Sequence, residues 1–281
     1  MINRNTRGLT LIEVLIAIVI ASVIAGSLLR MVLVDVHFAD DREAWRTARQ
    51  AARSGMVVLL SDLRMVETSG GVEAAAAGGQ DLTVRVPYAF GVLCTTTGAS
   101  SVVSLIPVDS AMFVQPGHSG FAWRDEATEA YTYVAGGTVT GGASSGTCTG
   151  AGITVLPSSR LVTLSGTVPP TLPAGTIVFL YRRIRYEIKT SVSMPSEVAL
   201  WRTLVNTGTG EEISAPFMPA SRFLFYLDTA TPSQAAVPSP LSSIVGLELA
   251  FGGRSDQTPR GESGPKIVSF TTSVYFHNQA P

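Results

Sequence analysis

The chain has 281 residues, of which 46 % are apolar and only 15 % charged, with a formal net charge of −1. Ordinary domains carry about a quarter charged residues. The composition therefore excludes a disordered polyelectrolyte, and the near-zero net charge excludes a global basic field that would recruit nucleic acid. Two cysteines are too few for a disulfide scaffold or a four-thiolate zinc site.

Residues Met1–Gly8 are polar, with Arg4 and Arg7 and no acid. Leu9–Leu29 is an apolar run whose only ionisable side chain is Glu13. As a helix it covers about 30 Å, the thickness of a bilayer's hydrocarbon core. Three kinds of segment have this outline. A cleaved secretory signal peptide has a shorter core and a small-x-small cut site, and Leu28-Leu29-Arg30-Met31 offers none. A plain signal anchor leaves Glu13 unexplained, because an acid near the centre of a span costs about 2–3 kcal/mol. The third kind is cut before the span and keeps it. Basic residues before the run and Asp35, Asp40 and Asp41 after it place the N-terminus in the cytoplasm and the rest outside.

Gly8-Leu9-Thr10-Leu11-Ile12-Glu13-Val14-Leu15 resembles the signal of type IV pilins and type II secretion pseudopilins. There a short basic leader ends in Gly, and Thr-Leu-(Ile/Val)-Glu and a long apolar helix follow the cut. The resemblance implies cleavage between Gly8 and Leu9 by a prepilin peptidase and N-methylation of Leu9, although Leu9 stands where Phe is usual. No cofactor and no metal are expected. The partners implied are other pilins or pseudopilins, met through the N-terminal helix in the inner membrane. A carboxylate buried among apolar helices needs a partner. The Leu9 amine of a neighbouring subunit can supply one and so set register. The alternative is that Glu13 snorkels to the interface.

The helix is expected to continue past the membrane. Phe38, Trp45, Ala48, Ala52, Met56, Leu59, Leu63 and Val66 recur at helical spacing, and Arg42, Arg46, Arg49 and Arg53 lie mostly off that stripe. Ser69–Gly79, with Gly70-Gly71, is read as the loop that stops it. Thereafter the pattern is β. Strands are predicted at Leu82–Tyr88, Ser101–Val108, Ala130–Val134, Arg160–Ser165, Thr176–Lys189, Leu200–Val205, Arg222–Leu227, Leu241–Phe251 and Ile267–His277. In the last, Val268, Phe270, Thr272, Val274 and Phe276 share one face. Ala135–Gly152 and Thr229–Pro240 read as surface loops. The expected fold is α+β, a long helix packed on an antiparallel β-sheet head. The expected organisation is a leader at 1–8, a transmembrane and assembly segment at 9–34, an amphipathic helix at 35–68 and an exported head at 69–281.

The resemblance extends weakly beyond the signal. Asp62-Leu63-Arg64, Leu200-Trp201-Arg202 and the Tyr275-Phe276-His277-Asn278 ending are similar to short patterns in PilW-like minor pilins and J-type pseudopilins. They imply a low-copy, tip-proximal subunit of a pilus, or a J-type pseudopilin of type II secretion. A membrane-anchored adhesin or enzyme is the reading of another class, and it needs a convergent polar site. No such site is legible, so no enzymatic activity is expected. Cys94 and Cys148 are expected to pair in an oxidising compartment, two free thiols being the alternative. Gly142–Gly146 matches G-x-S-x-G but lies in a Gly/Ser loop, without the strand and helix that a nucleophile needs. His37, His118 and His277 are scattered, and Asp125, Glu126 and Glu129 lack a calcium-loop pattern. Arg182, Arg183, Arg185 and Lys189 allow contact with nucleic acid or sugar. Cross-strand pairing with acids is the expectation.

Overall fold

The computed structural model describes residues 10–96, 100–113, 117–125, 128, 130–135, 139–141, 148, 159–165 and 172–276. Helix α1 (Leu11–Leu63) runs 53 residues without interruption. Its first part, to Val34, is apolar and exposed along its whole length. From Ala44 onward one face is buried, formed by Ala44, Ala48, Ala51, Ala52, Gly55, Met56, Leu59 and Leu63. Phe38 and Trp45, expected on that face, are instead exposed. The reason is the closeness of helix and sheet. A Cβ on Gly253 would stand 2.1 Å from the Ala48 carbonyl oxygen, and one on Gly55 would stand 2.9 Å from Phe217. Between Ala48 and Gly55 only small residues fit this seam, which leaves Trp45 on its flank, and Phe38 precedes Ala44, the first buried residue of the helix. The helix ends at Leu63, short of the expected residue 68, and Ser69 and Gly70 turn the chain with positive φ.

Among the described residues, thirteen strands follow: β1 (Val72–Ala75), β2 (Asp81–Thr96), β3 (Ser100–Leu105), β4 (Gly120–Arg124), β5 (Tyr131–Ala135), β6 (Val139–Gly141), β7 (Leu161–Ser165), β8 (Ile177–Thr190), β9 (Val198–Leu204), β10 (Thr209–Phe217), β11 (Arg222–Tyr226), β12 (Gly246–Arg254) and β13 (Ile267–Tyr275). A short helix, α2 (Pro107–Met112), follows β3. Every strand pairing is antiparallel.

The long strands β2 and β8 pair over most of their length, with an irregularity between Pro87 and Ala89. They pass through two differently built halves. In the proximal half, β1 flanks β2, and β9 and β10 extend the sheet from β8 toward β12. Strand β12 also carries β11 and β13. Leu82, Val84, Ile184, Tyr186, Leu200, Phe223, Leu249 and Phe251 pack there against Met56, Leu59 and Leu63 of α1. In the distal half, β3 and β7 continue from β2, while β4 and β5 continue from β8. Its core is a separate cluster that includes Leu93, Val103, Leu105, Phe121, Trp123, Val162 and Leu180. Phe179 and Tyr181 are buried on the opposite face, against Ala122 and Phe90.

Several expectations need correction. The predicted strand Ser101–Val108 stops at Leu105, because Pro107 starts α2 and holds Ile106 extended. The stretch Ser69–Gly79, read as loop, contains β1, and Ala135–Gly152 contains β6. The predicted strand Leu241–Phe251 begins only at Gly246, after a single 3₁₀ turn at Leu241–Ser243. Strands β4 and β10 were not anticipated. Along β13 the expected face points inward, with Val274 and the following Phe276 buried.

Candidate functional site

The start of α1 is built from its own first residues. Thr10 is the N-cap, and Glu13 stands at the third helical position. The Glu13 amide donates to the Thr10 hydroxyl at 3.4 Å, while Glu13 Oε2 accepts from the Thr10 amide at 3.0 Å and from its hydroxyl at 3.1 Å. This is a capping box, which satisfies two of the amides that a helix start leaves free. The sequence reading assigned Glu13 to assembly or to snorkelling and missed this local role. The Thr-x-x-Glu spacing was the signal that could have found it. Among the described residues Oε1 takes no bond, so a second oxygen stays available for a partner from another chain. The expected cut between Gly8 and Leu9 and the methylated Leu9 lie outside the described residues.

Beyond the span the structure unites two sequence patterns read separately. Asp62 of the Asp62-Leu63-Arg64 triplet accepts a hydrogen bond from Arg202 Nε at 2.9 Å and another from the Tyr186 hydroxyl. Arg202 belongs to Leu200-Trp201-Arg202, and Leu63 and Leu200 lie fully buried in the same core. The two patterns are thus the two ends of one latch between α1 and β9. Partial burial works against the Arg202 charge, but Asp62 beside it holds the guanidinium above its ordinary value. Burial, then Asp62, pushes the Tyr186 phenol up, so it stays a donor.

Cys94 of β2 and Cys148 are bonded to one another, with Cα atoms 4.9 Å apart and a separation of 54 positions in sequence. Both are buried. The basic strand is largely paired. Arg183 meets Glu73, Arg185 meets Asp81 and Glu187, and Lys189 meets Glu187. Arg182 lies 4.4 Å over the Tyr88 ring. The Tyr88 hydroxyl in turn sits 3.1 Å from His118 Nδ1. Burial pushes His118 down to about 4, so it is neutral at physiological pH. Among the described residues no three His, Cys, Asp or Glu side chains gather as metal ligands. Gly142–Gly146, Glu126, Glu129 and His277 lie outside the described residues. His37 is exposed on α1.

The comparisons add one finding to this geometry. Residues 3–29 match the model of the prokaryotic N-terminal methylation motif. No curated protein and no solved structure matches the chain. The motif ends where the exposed apolar part of α1 is still running, and the same helix continues into the head without a break. Among the described residues one helix, α1, is long and apolar enough to cross a membrane, and the chain carries at its start a signal of the type IV pilin and pseudopilin kind.

Proposed function

We propose that this chain is a minor prepilin, cut between Gly8 and Leu9 and N-methylated on Leu9, and assembled at low copy near the tip of a type IV pilus. The observation that carries the reading is the division of α1. Its second half is fixed to the head by a small-residue seam and the Asp62–Arg202 latch. Its first half is apolar and projects free of the head. Burying apolar surface is worth about 25 cal/mol per Å², so that half is held by lipid before assembly and by other apolar helices after it. The size of the head fits a subunit used sparingly better than one repeated along a shaft. In this reading the head is structural and performs no catalysis, the leader faces the cytoplasm, and the head lies outside the inner membrane.

Glu13 has a double role here. Its Oε2 fixes the helix start beside the cut, and its other oxygen meets the Leu9 amine of a neighbouring subunit. A buried charge that loses its partner costs several kcal/mol, on the order of 3–5. Glu13→Ala is therefore expected to give a cleaved, membrane-inserted chain with a protease-resistant head that fails to enter sheared filaments. Glu13→Asp is expected to be intermediate. The measurement is the ratio of the subunit in the filament fraction to that in total membrane. An unchanged ratio in Glu13→Ala contradicts the assembly role. A J-type pseudopilin shares the same signal, and the Asp62 and Leu200–Arg202 patterns resemble both groups. Adjacent genes for a secretion ATPase and an outer-membrane channel would favour that reading, and a cluster of short pilins would favour the pilus.

A further inference from the structure

Four arginines of α1 just beyond the apolar segment share one face. Arg42, Arg46, Arg49 and Arg53 recur at spacings of four, three and four, which confines them to about 60° around the helix axis. All four are exposed. Among the described residues Arg42, Arg49 and Arg53 have no acidic partner. Arg46 reaches only Glu43, at 4.0 Å, with the two side chains 79 % and 71 % exposed. Arg42 lies 4.1 Å over the exposed Phe38 ring and Arg49 lies 6.0 Å over that of Trp45. The arginines and Trp45 border an open groove of about 810 Å³. Like charges one turn apart destabilise a helix, so the isolated chain maintains this stripe against its own helix stability.

Roughly a third of a turn around the same helix, Asp40, Glu43 and Thr47 form one wall of a cleft of about 500 Å³. The loop between β12 and β13 forms the other wall, with Asp256 and Arg260. Arg260 stands 3.6 Å from Asp40, Glu43 reaches only Arg46 of the stripe, at 4.0 Å, and among the described residues Asp256 has no cationic partner. The buried alanine face occupies the third side of the helix. At one height, then, α1 presents a positive flank and a negative flank.

We propose that a second copy of this chain, anchored in the same membrane, docks its acidic cleft against the arginine stripe of the first. The proposal rests on the membrane-anchored reading of the N-terminal helix. Because α1 is unbroken, both patches are measured from the same span. Asp40 stands two residues from Arg42 and Glu43 three from Arg46, so two copies side by side bring these charges together without sliding along the axis. Trp45 and Phe38 supply rigid apolar area beside the charges, as aromatic and arginine side chains do at protein interfaces. Lipid headgroups do not fit the stripe. Arg53 lies about 28 Å along the axis past Val34, whereas the headgroup layer is only about 5–7 Å deep on each side. The contact joins two different patches, so it is heterologous, and at the low copy number proposed for this chain it joins few copies.

The test uses two differently tagged full-length copies expressed together, with one captured from solubilised membranes and the other quantified. The wild-type copies are expected to be captured together. Arg46→Glu with Arg49→Glu in both copies is expected to lower capture by at least about fivefold, as like charges meet across the contact. Adding Glu43→Arg and Asp256→Arg to that chain exchanges the signs at the substituted positions of the two patches and is expected to restore capture to within about twofold. A misfolded head could not produce such a rescue. Absence of wild-type capture, indifference to the first pair of substitutions, or failure of the second pair to restore it overturns the proposal. So does a stripe that retains nucleic acid or an unrelated acidic protein in place of the second copy. The mature N-terminus is determined in the same membranes. An uncut chain that still shows the charge-reversal rescue removes the prepilin reading and leaves the contact standing.

Discussion

The proximal and distal halves of the head share the strands β2 and β8 but solve the problem of closure differently. The proximal half covers its sheet with α1, whose alanines and Gly55 let the helix approach Gly253 and Phe217 closely. The distal half lies beyond the helix. It has a smaller core, a six-residue helix at Pro107–Met112, and the bond between Cys94 and Cys148. The lesson is that a core short of apolar partners is held by restricting the unfolded chain, whereas one backed by a long helix is held by burial. The irregularity between Pro87 and Ala89 marks the change from one regime to the other.

The largest effect is expected from the bond. Closing a loop of 54 residues is worth about 4 kcal/mol in the chain-entropy model. Cys94→Ala with Cys148→Ala is therefore expected to release amide protection in β3, β4 and β7 while β12 and β13 keep theirs. Hydrogen exchange resolved by segment checks this. Equal loss in both halves would mean that the two cores are one cooperative unit.

The complementary test strikes the seam. Gly253→Ala puts a methyl group 2.1 Å from the Ala48 carbonyl, and overpacking of this kind costs about 1–3 kcal/mol. The upper end is expected because backbone, not a flexible side chain, stands in the way. Denaturant melts of the head should show it, with exchange rising first in residues 44–63 and in β12. A smaller effect is expected at the latch. Arg202→Leu leaves Asp62 without its guanidinium, at about 2 kcal/mol once partial exposure is allowed for. Asp62→Leu with Arg202→Leu should recover part of that loss, since two apolar groups replace the pair. A double-mutant cycle gives the coupling.

The smallest effect belongs to the junction. His118 titrates at about 6.5 when unfolded and is pushed down to about 4 in the fold by burial. The unfolded chain therefore binds the proton more readily between those values. Stability from this group is full above pH 6.5 and is lost as pH falls through that window toward 4. By about pH 5.5 the loss is expected to be about 1.4 kcal/mol. His118→Gln should flatten that part of the pH–stability curve. A curve as steep as wild type would assign the acid sensitivity to another group.

The proximal half was the more legible of the two in sequence. The alternation of β13, the apolar positions of β11 and β12 and the lower part of the helix stripe follow from periodicity alone. Phe38 and Trp45 misled because periodicity weighs large residues, whereas the seam selects small ones. Strand β10, Thr-Gly-Glu-Glu-Ile-Ser-Ala-Pro-Phe, is polar and interrupted by Pro216, so nothing in its pattern marks it. It is a strand because the turn at Asn206–Gly208, where Gly208 has positive φ, folds it back on β9. In the distal half, residues 178–181 of β8 are buried on both faces, which removes the alternation that identifies a strand. At the N-terminus the signal was legible and the capping box beside it was overlooked, although both use the same Thr10 and Glu13.

The central claim is that the working protein begins at a cut between Gly8 and Leu9, just ahead of the Thr10 cap of α1. Intact-mass and N-terminal analysis of the protein from membranes with an active prepilin peptidase tests it most directly. The expected species starts at Leu9 and carries one methyl group on its amine. A chain that retains Met1 under those conditions, or one whose N-terminus lies near residue 30, contradicts the account.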